Sequence, residues 1–240
     1  MLPKFLRTKP SDRKVFAPRK STPRDVTALH PALAAISLSH VPAPASKEQI
    51  TSLADAIDVP RANLLTVIRQ ESSNRAFHDH GIYGIFPLIR LELHKLNEYT
   101  DDIFLGKHDD LFKKYFKLSD GNVSQEAHLL RMNRAMFIIE GITGIDPAFE
   151  AASWGAGQVL GSNFRLAGHG TVRRMVQSMA TDEISQLRAM TNFIENCGIR
   201  QYLANRDWYN FAKHYNGTAR ATQYARELAA NYRVVTGYSA

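Results

Sequence analysis

From Ser46 onward the apolar residues recur at intervals of three and four and almost never alternate, a period that restricts the chain to packed helices. Ser46-Lys-Glu-Gln49 has the form of a capping box, and Ile50, Leu53, Ala54 and Ile57 follow it on one face. Asp58-Val-Pro60 ends that helix and opens the next, whose apolar face carries Leu64, Val67 and Ile68. A loop with Gly81 and Gly84 leads into a short apolar segment, which allows a small hairpin near residues 81–90. Helical patterns then cover residues 109–116, 123–140, 149–154, 172–179, 182–196 and 207–215, and a last helix runs through the 220s. Gly141, Gly144, Pro147 and Gly198 mark the breaks. With no internal repeat, the expected fold class is all-α, with at most a small β-hairpin.

The composition is compatible with a sizeable core: 44% of the 240 residues are hydrophobic and 22% charged. Cys197 is the single cysteine, so neither an intrachain disulfide nor a cysteine metal cage can form, and a buried apolar role is expected for it. No apolar run reaches the roughly 18 residues of a membrane span. The net charge of +7 is concentrated at one end, since residues 1–25 hold eight cations against Asp12 and Asp25. The rest of the chain is close to neutral. Residues 1–45 therefore read as a disordered, basic, Pro-rich arm, and residues 46–240 as the folded domain.

The arm has three readings. It is a solvated leader, or an electrostatic hook for anionic envelope polymers and lipid headgroups, or a targeting segment. The last rests on the mildly apolar residues 26–38 and on Ala43-Pro44-Ala45, which has the form of a signal cleavage site. Asp25, His30 and Pro31 interrupt that pattern, so export by a signal peptide is the lesser reading. A nucleic-acid-binding domain would carry its positive patch on the fold, so no specific nucleic acid is expected as a partner.

Glu71 lies seven residues after Leu64, four after Val67 and three after Ile68, on the apolar side of its helix and at its end. Burial there raises a carboxyl pKa, which suits a general acid that must stay protonated near neutral pH. The plainer alternative is a helix-end glutamate paired with Arg75. Two further segments bear on the choice. Ser153-Trp-Gly-Ala-Gly-Gln158 joins two helical patterns, with glycines that allow close approach of backbone to a ligand, and Tyr215-Asn216-Gly217 follows a late helix.

Glu-Ser, then Ser-x-Gly-x-x-Gln, then Tyr-Asn, in this order, resembles the lysozyme superfamily. The match narrows with Ile68-Arg-Gln-Glu71-Ser, Pro87-Leu-Ile-Arg-Leu-Glu92-Leu-His94, Ala152-Ser-Trp-Gly-Ala-Gly-Gln158-Val-Leu-Gly161-Ser-Asn163-Phe164, the run from Glu183 to Leu187, and Asp207-Trp208-Tyr-Asn-Phe211-Ala-Lys-His-Tyr215-Asn216-Gly217. In these segments the chain from about Ser46 to Arg233 resembles the N-acetylmuramidase family of phage endolysins and bacterial cell-wall hydrolases. It departs from the family at Ser73-Asn74-Arg75, where glycines are common, at Leu91 in place of Phe, and at Thr218, where proline is common. The peptidoglycan-binding domain of many members has no counterpart here.

The resemblance implies a lysozyme-like fold and, as substrate, the peptidoglycan glycan strand, cut at the β-1,4 bond after N-acetylmuramic acid. It implies Glu71 as proton donor and Glu92 as second carboxylate, or as stabiliser of oxocarbenium charge, against a structural salt bridge of Glu92 with Arg90 or Lys95. Ser153, Gln158, Tyr215 and Asn216 become sugar- or acid-positioning groups, and His94 a hydrogen-bonding neighbour of Glu92. Trp154 and Trp208 suit either sugar stacking or the core, with Trp208 leaning to the core. No cofactor is expected. Among the nine histidines none shows metal spacing on a helix, and His78 and His80 fall in a loop, so no zinc site is expected.

The implied protein is a monomer, made in the bacterial host cytoplasm and acting in the periplasm or wall after release by a holin-like or other route. A lytic transglycosylase on the same substrate and a non-catalytic wall- or nucleic-acid-binding protein are the alternatives. If the arm stands in for a wall-binding domain, a chain lacking residues 1–25 should pellet less with purified cell walls, and the difference from the full chain should shrink as salt is raised.

Overall fold

The structure, a computed structural model, describes residues 28–237. The charged part of the expected arm lies outside the described residues. Folded structure nevertheless begins earlier than Ser46. A one-turn helix α1 (Pro31–Ala34) buries Leu33, with Ile36 beside it. The Asn133 side chain holds the start of this segment, accepting from His30 N at 2.6 Å and donating to Ala28 O at 3.1 Å. Of the apolar residues weighed above as a targeting segment, Leu33 and Ile36 are core.

Helix α2 (Lys47–Ala56) starts at the expected capping box. Ser46 Oγ accepts from Gln49 N, and the Gln49 side chain accepts in turn from Ser46 N at 2.8 Å. Helix α3 (Arg61–Ser72) follows Pro60 and buries Leu64, Val67 and Ile68. It ends because Ser73 and Asn74 both adopt left-handed backbone, at φ +53° and +61°. Strands β1 (Phe77–Asp79) and β2 (Ile85–Pro87) pair antiparallel around a 3-10 turn. Strand β3 (Ile89–Leu91) and α4 (Leu93–Tyr99) come next.

The expected helix over 109–116 does not form. Leu111 and Phe112 are buried from a run of turns, Phe112 packs on Phe104 at 4.8 Å between ring centroids, and Asp109 accepts from Gly106 N. A two-residue apolar anchor needs no helical period. The chain continues through a short α5 (Leu118–Gly121), then α6 (Gln125–Ile139) and α7 (Asp146–Glu150).

The largest departure from the sequence reading comes next. Residues 152–160, read as a helical end and a linker, form β4 (Ala152–Trp154) and β5 (Val159–Leu160). With β3 they make a three-stranded antiparallel sheet in which Ile89, Arg90 and Leu91 pair with Trp154, Ser153 and Ala152. The fold is thus mainly helical, with two small sheets rather than at most one hairpin. Its remaining helices are α8 (Val172–Met179), α9 (Glu183–Asn196), α10 (Arg200–Ala204), α11 (Trp208–Tyr215) and α12 (Ala221–Thr236).

Two features place the elements that matter. α12 lies against both α3 and α11. A polar clasp sets its register on α3: Gln70 donates to Glu227 at 2.8 Å and accepts from Asn231, while Arg69 donates to Asn231 at 3.0 Å. The free edge of β3 is covered by α6, where the Gln125 amide both donates to and accepts from the Ile89 backbone, and His128 accepts from Leu91 N. Because Ser73 holds a backbone conformation that costs an L-residue with a Cβ, Ser73→Gly should stabilise the fold by about 0.5–1 kcal/mol in denaturant unfolding.

Candidate active site

A cleft of about 470 Å³ opens where the last turn of α3 meets the three-stranded sheet, the end of α11 and the middle of α12. Glu71, Glu92, His94, Ser153, Gln158, Tyr215 and Asn216, scattered over 146 positions, all line it. Strand alternation explains the sheet's share. Ile89, Leu91, Ala152 and Trp154 point into the core and are fully buried, so Arg90 and Ser153, paired across the strands, face the cleft with Leu160.

Glu71 lines the cleft, half-buried at the end of α3. Its carboxyl accepts a short hydrogen bond from the Tyr224 hydroxyl of α12, not an ion pair from Arg75, which is exposed. Loss of water pushes its pKa up to about 7. The Tyr224 bond and the nearby Arg90 charge oppose that rise, and Glu227 adds to it. Tyr224, buried, and Tyr215, half-buried, have hydroxyls that desolvation and the nearby Glu71 charge hold well above their ordinary pKa, so they act here only as neutral groups. Tyr215 donates to Gly157 O at 2.7 Å, which ties α11 to the β4–β5 turn.

Glu92 stands on another wall in a different setting. Arg90 Nε lies 3.2 Å from its Oε1 as an ion pair without hydrogen-bond alignment, and His94 Nδ1 is 3.8 Å from Oε2. The salt bridge weighed for Glu92 therefore exists, within the cleft. Burial lowers the His94 pKa, and its ring meets Phe116 edge-on at 5.3 Å.

The other expected residues divide. Ser153 lines the cleft but does not bond Glu71; that partner is Tyr224. Gln158, at φ +46°, folds its amide back to Gly155 O at 2.9 Å, and Asn216 caps α11 at the exposed rim. Trp154 is core, donating to Phe149 O, and Trp208 packs on Tyr232, so neither lines the cleft. The glycines of 155–161 serve packing more than ligand approach. A Cβ would strike Gln186 from Gly155, Met190 from Gly157 and the Phe149 carbonyl from Gly161. Tyr224 was missed by sequence reasoning, and its one signal was a tyrosine on the buried stripe Ala221, Tyr224, Leu228, where a hydroxyl needs a partner.

The sequence model of the N-acetylmuramidase family matches residues 60–236, a span that includes every one of these cleft residues. The chain belongs to the N-acetylmuramidase family. Membership brings, at the level of the family, a glycoside hydrolase activity on peptidoglycan. The fold is also similar to the crystal structure of Burkholderia AP3 phage endolysin, at a TM-score of 0.67 and 25% identity over 81% of this chain and 71% of that one. No curated protein matches the chain.

Folding favours the protonated form of Glu71, because its folded pKa lies above the ~4.3 of a free glutamate. That contribution is complete at low pH and is lost as pH rises through about 7. Glu71→Gln keeps a neutral isostere at every pH. Its stability advantage over the unaltered muramidase should grow between pH 5 and pH 8, by on the order of 1–3 kcal/mol in thermal melts.

Proposed function

We propose that this muramidase hydrolyses the β-1,4 bond between N-acetylmuramic acid and N-acetylglucosamine, with Glu71 as general acid and Glu92 as the second carboxylate. The observation that carries the proposal is the Glu71 carboxyl, half-buried in a cleft that also holds Glu92, with its pKa raised to about 7. A group so poised is largely protonated just below neutrality and able to give its proton to a glycosidic oxygen.

In the proposed reaction the O–H bond of Glu71 breaks as the leaving sugar's oxygen takes the proton and its bond to the anomeric carbon opens. Glu92, already beside the Arg90 cation, offers negative charge toward the developing oxocarbenium ion, directly or through a water. Tyr224 steadies the ionised Glu71 once its proton has left, and the ion regains a proton from the incoming water. Ser153, Gln158, Tyr215, Asn216 and His94 hold the sugar rings or the carboxyls in place. The similarity to a phage endolysin supports a lysin acting on the wall after synthesis in the bacterial host.

Zymography on purified peptidoglycan with single variants, followed by mass spectrometry of the released muropeptides, tests the assignment. Glu71→Gln should lower the rate by about 10²–10⁴-fold without unfolding the chain. Glu92→Gln should lower it as well; a variant near the unaltered rate would remove Glu92 from the mechanism. Products should carry reducing ends, and activity should decline as pH passes about 7. Anhydro-muramic ends would instead identify a lytic transglycosylase.

A further inference from the structure

Outside the cleft, the hairpin of β1 and β2 brings together groups that the hydrolytic reading does not use. His78 and His80 are two residues apart on an extended chain, so their rings share one face. Glu126, in the first turn of α6, reaches the same point, and one ligand atom from each of the three lies within 4.8 Å of the others. The His78 and His80 rings stand edge to face at 4.7 Å, and His78 Nε2 lies 2.7 Å from Glu126 Oε1.

The informative member is His80. It is only 5% exposed, and both of its ring nitrogens are buried without a hydrogen-bond partner among the described residues. A neutral imidazole ordinarily donates from one nitrogen and accepts at the other, and buried polar atoms left unsatisfied are exceptions that call for a cause. Its neighbours do not supply one. Phe86 meets the ring edge-on at 5.5 Å, and the Asp79 carboxylate is engaged by Gly81 N at 2.8 Å.

We propose that His78, His80 and Glu126 bind a divalent transition metal of the zinc class, which joins the β1–β2 hairpin to the start of α6. Two imidazoles and one carboxylate make a donor set suited to such an ion. Ligand atoms around tetrahedral zinc lie about 3.4 Å apart. Binding therefore replaces the His78–Glu126 hydrogen bond and draws His80 in by a small side-chain rotation. The ring of His78 and the carboxylate of Glu126 are partly open to solvent, which leaves room for water as fourth ligand.

None of the three residues lines the cleft, so the ion's role is structural. Glu126 directly follows Gln125, whose amide holds Ile89 next to Arg90. The loop spacing of His78 and His80 gave no hint of this site, because the third ligand lies 46 residues further on.

The test uses the full chain without a histidine tag, stripped with EDTA, dialysed and titrated with Zn²⁺ in a calorimeter and with Co²⁺ by visible absorption. The proposal expects one equivalent bound at micromolar affinity or tighter, cobalt bands of a low-coordinate site, and a thermal midpoint raised by a few degrees with zinc. Glu126→Gln and His78→Gln, both at partly exposed side chains and therefore expected to fold, should each weaken binding at least tenfold and abolish the thermal shift. Circular dichroism confirms the fold of each variant. The proposal is overturned if the unaltered chain binds zinc no more tightly than these two variants, the result that adventitious binding at other surface histidines would give.

Discussion

Glu71 can stay protonated near neutrality only while water is kept from its carboxyl, and that exclusion depends on how α12 sits on α3. The clasp of Arg69 and Gln70 with Glu227 and Asn231 fixes the register of the two helices directly before Glu71. Tyr224 then falls against the carboxyl, donating its hydroxyl. The left-handed backbone at Ser73 and Asn74 ends α3 directly afterwards and turns the chain away toward the hairpin. A slide of α12 by one turn would leave the carboxyl open to solvent and return its pKa toward that of a free glutamate.

The opposite wall has a different physical origin. Three short strands would be marginal alone, but the sheet is closed on one edge by the Gln125 amide and seated on a core that includes Trp154. The β4–β5 turn packs down on α9, where the buried Gln186 side chain accepts from Ala156 N at 2.7 Å and donates to Met179 O at 3.0 Å. Glycines are required there because protein atoms occupy the space a Cβ would need. The same residues that look like ligand-binding chemistry in the sequence are thus first of all a folding requirement, and the cleft face of the sheet is its consequence.

Arg90 connects the two carboxyls electrostatically. It pairs with Glu92 and, from further off, pulls the Glu71 pKa down against the dominant effect of burial. The two glutamates therefore occupy unlike environments, one dry and bonded to a neutral hydroxyl, the other beside a cation. Such a division is what the proposed assignment of an acid and a charge-stabilising carboxylate requires.

Local chemistry and periodicity were legible in the sequence wherever neighbours along the chain decide the outcome. The capping box at Ser46 and Gln49, the boundaries of α8, α9 and α11 to within a residue, and the placement of Glu71 on the apolar side of α3 all rest on interactions within a few positions. The motif order carried the cleft residues for a similar reason, since each motif is a short local string. Tertiary structure alone decided that residues 152–160 pair as strands, because their partner is β3, some 60 residues earlier, and an apolar run of that length satisfies either period. It also decided that Leu33 and Ile36 belong to the core, that Trp154 faces away from the cleft, and that Tyr224 is the partner of Glu71. Each of these depends on which distant surface comes to lie against a residue, and that contact exists only once the helices have packed.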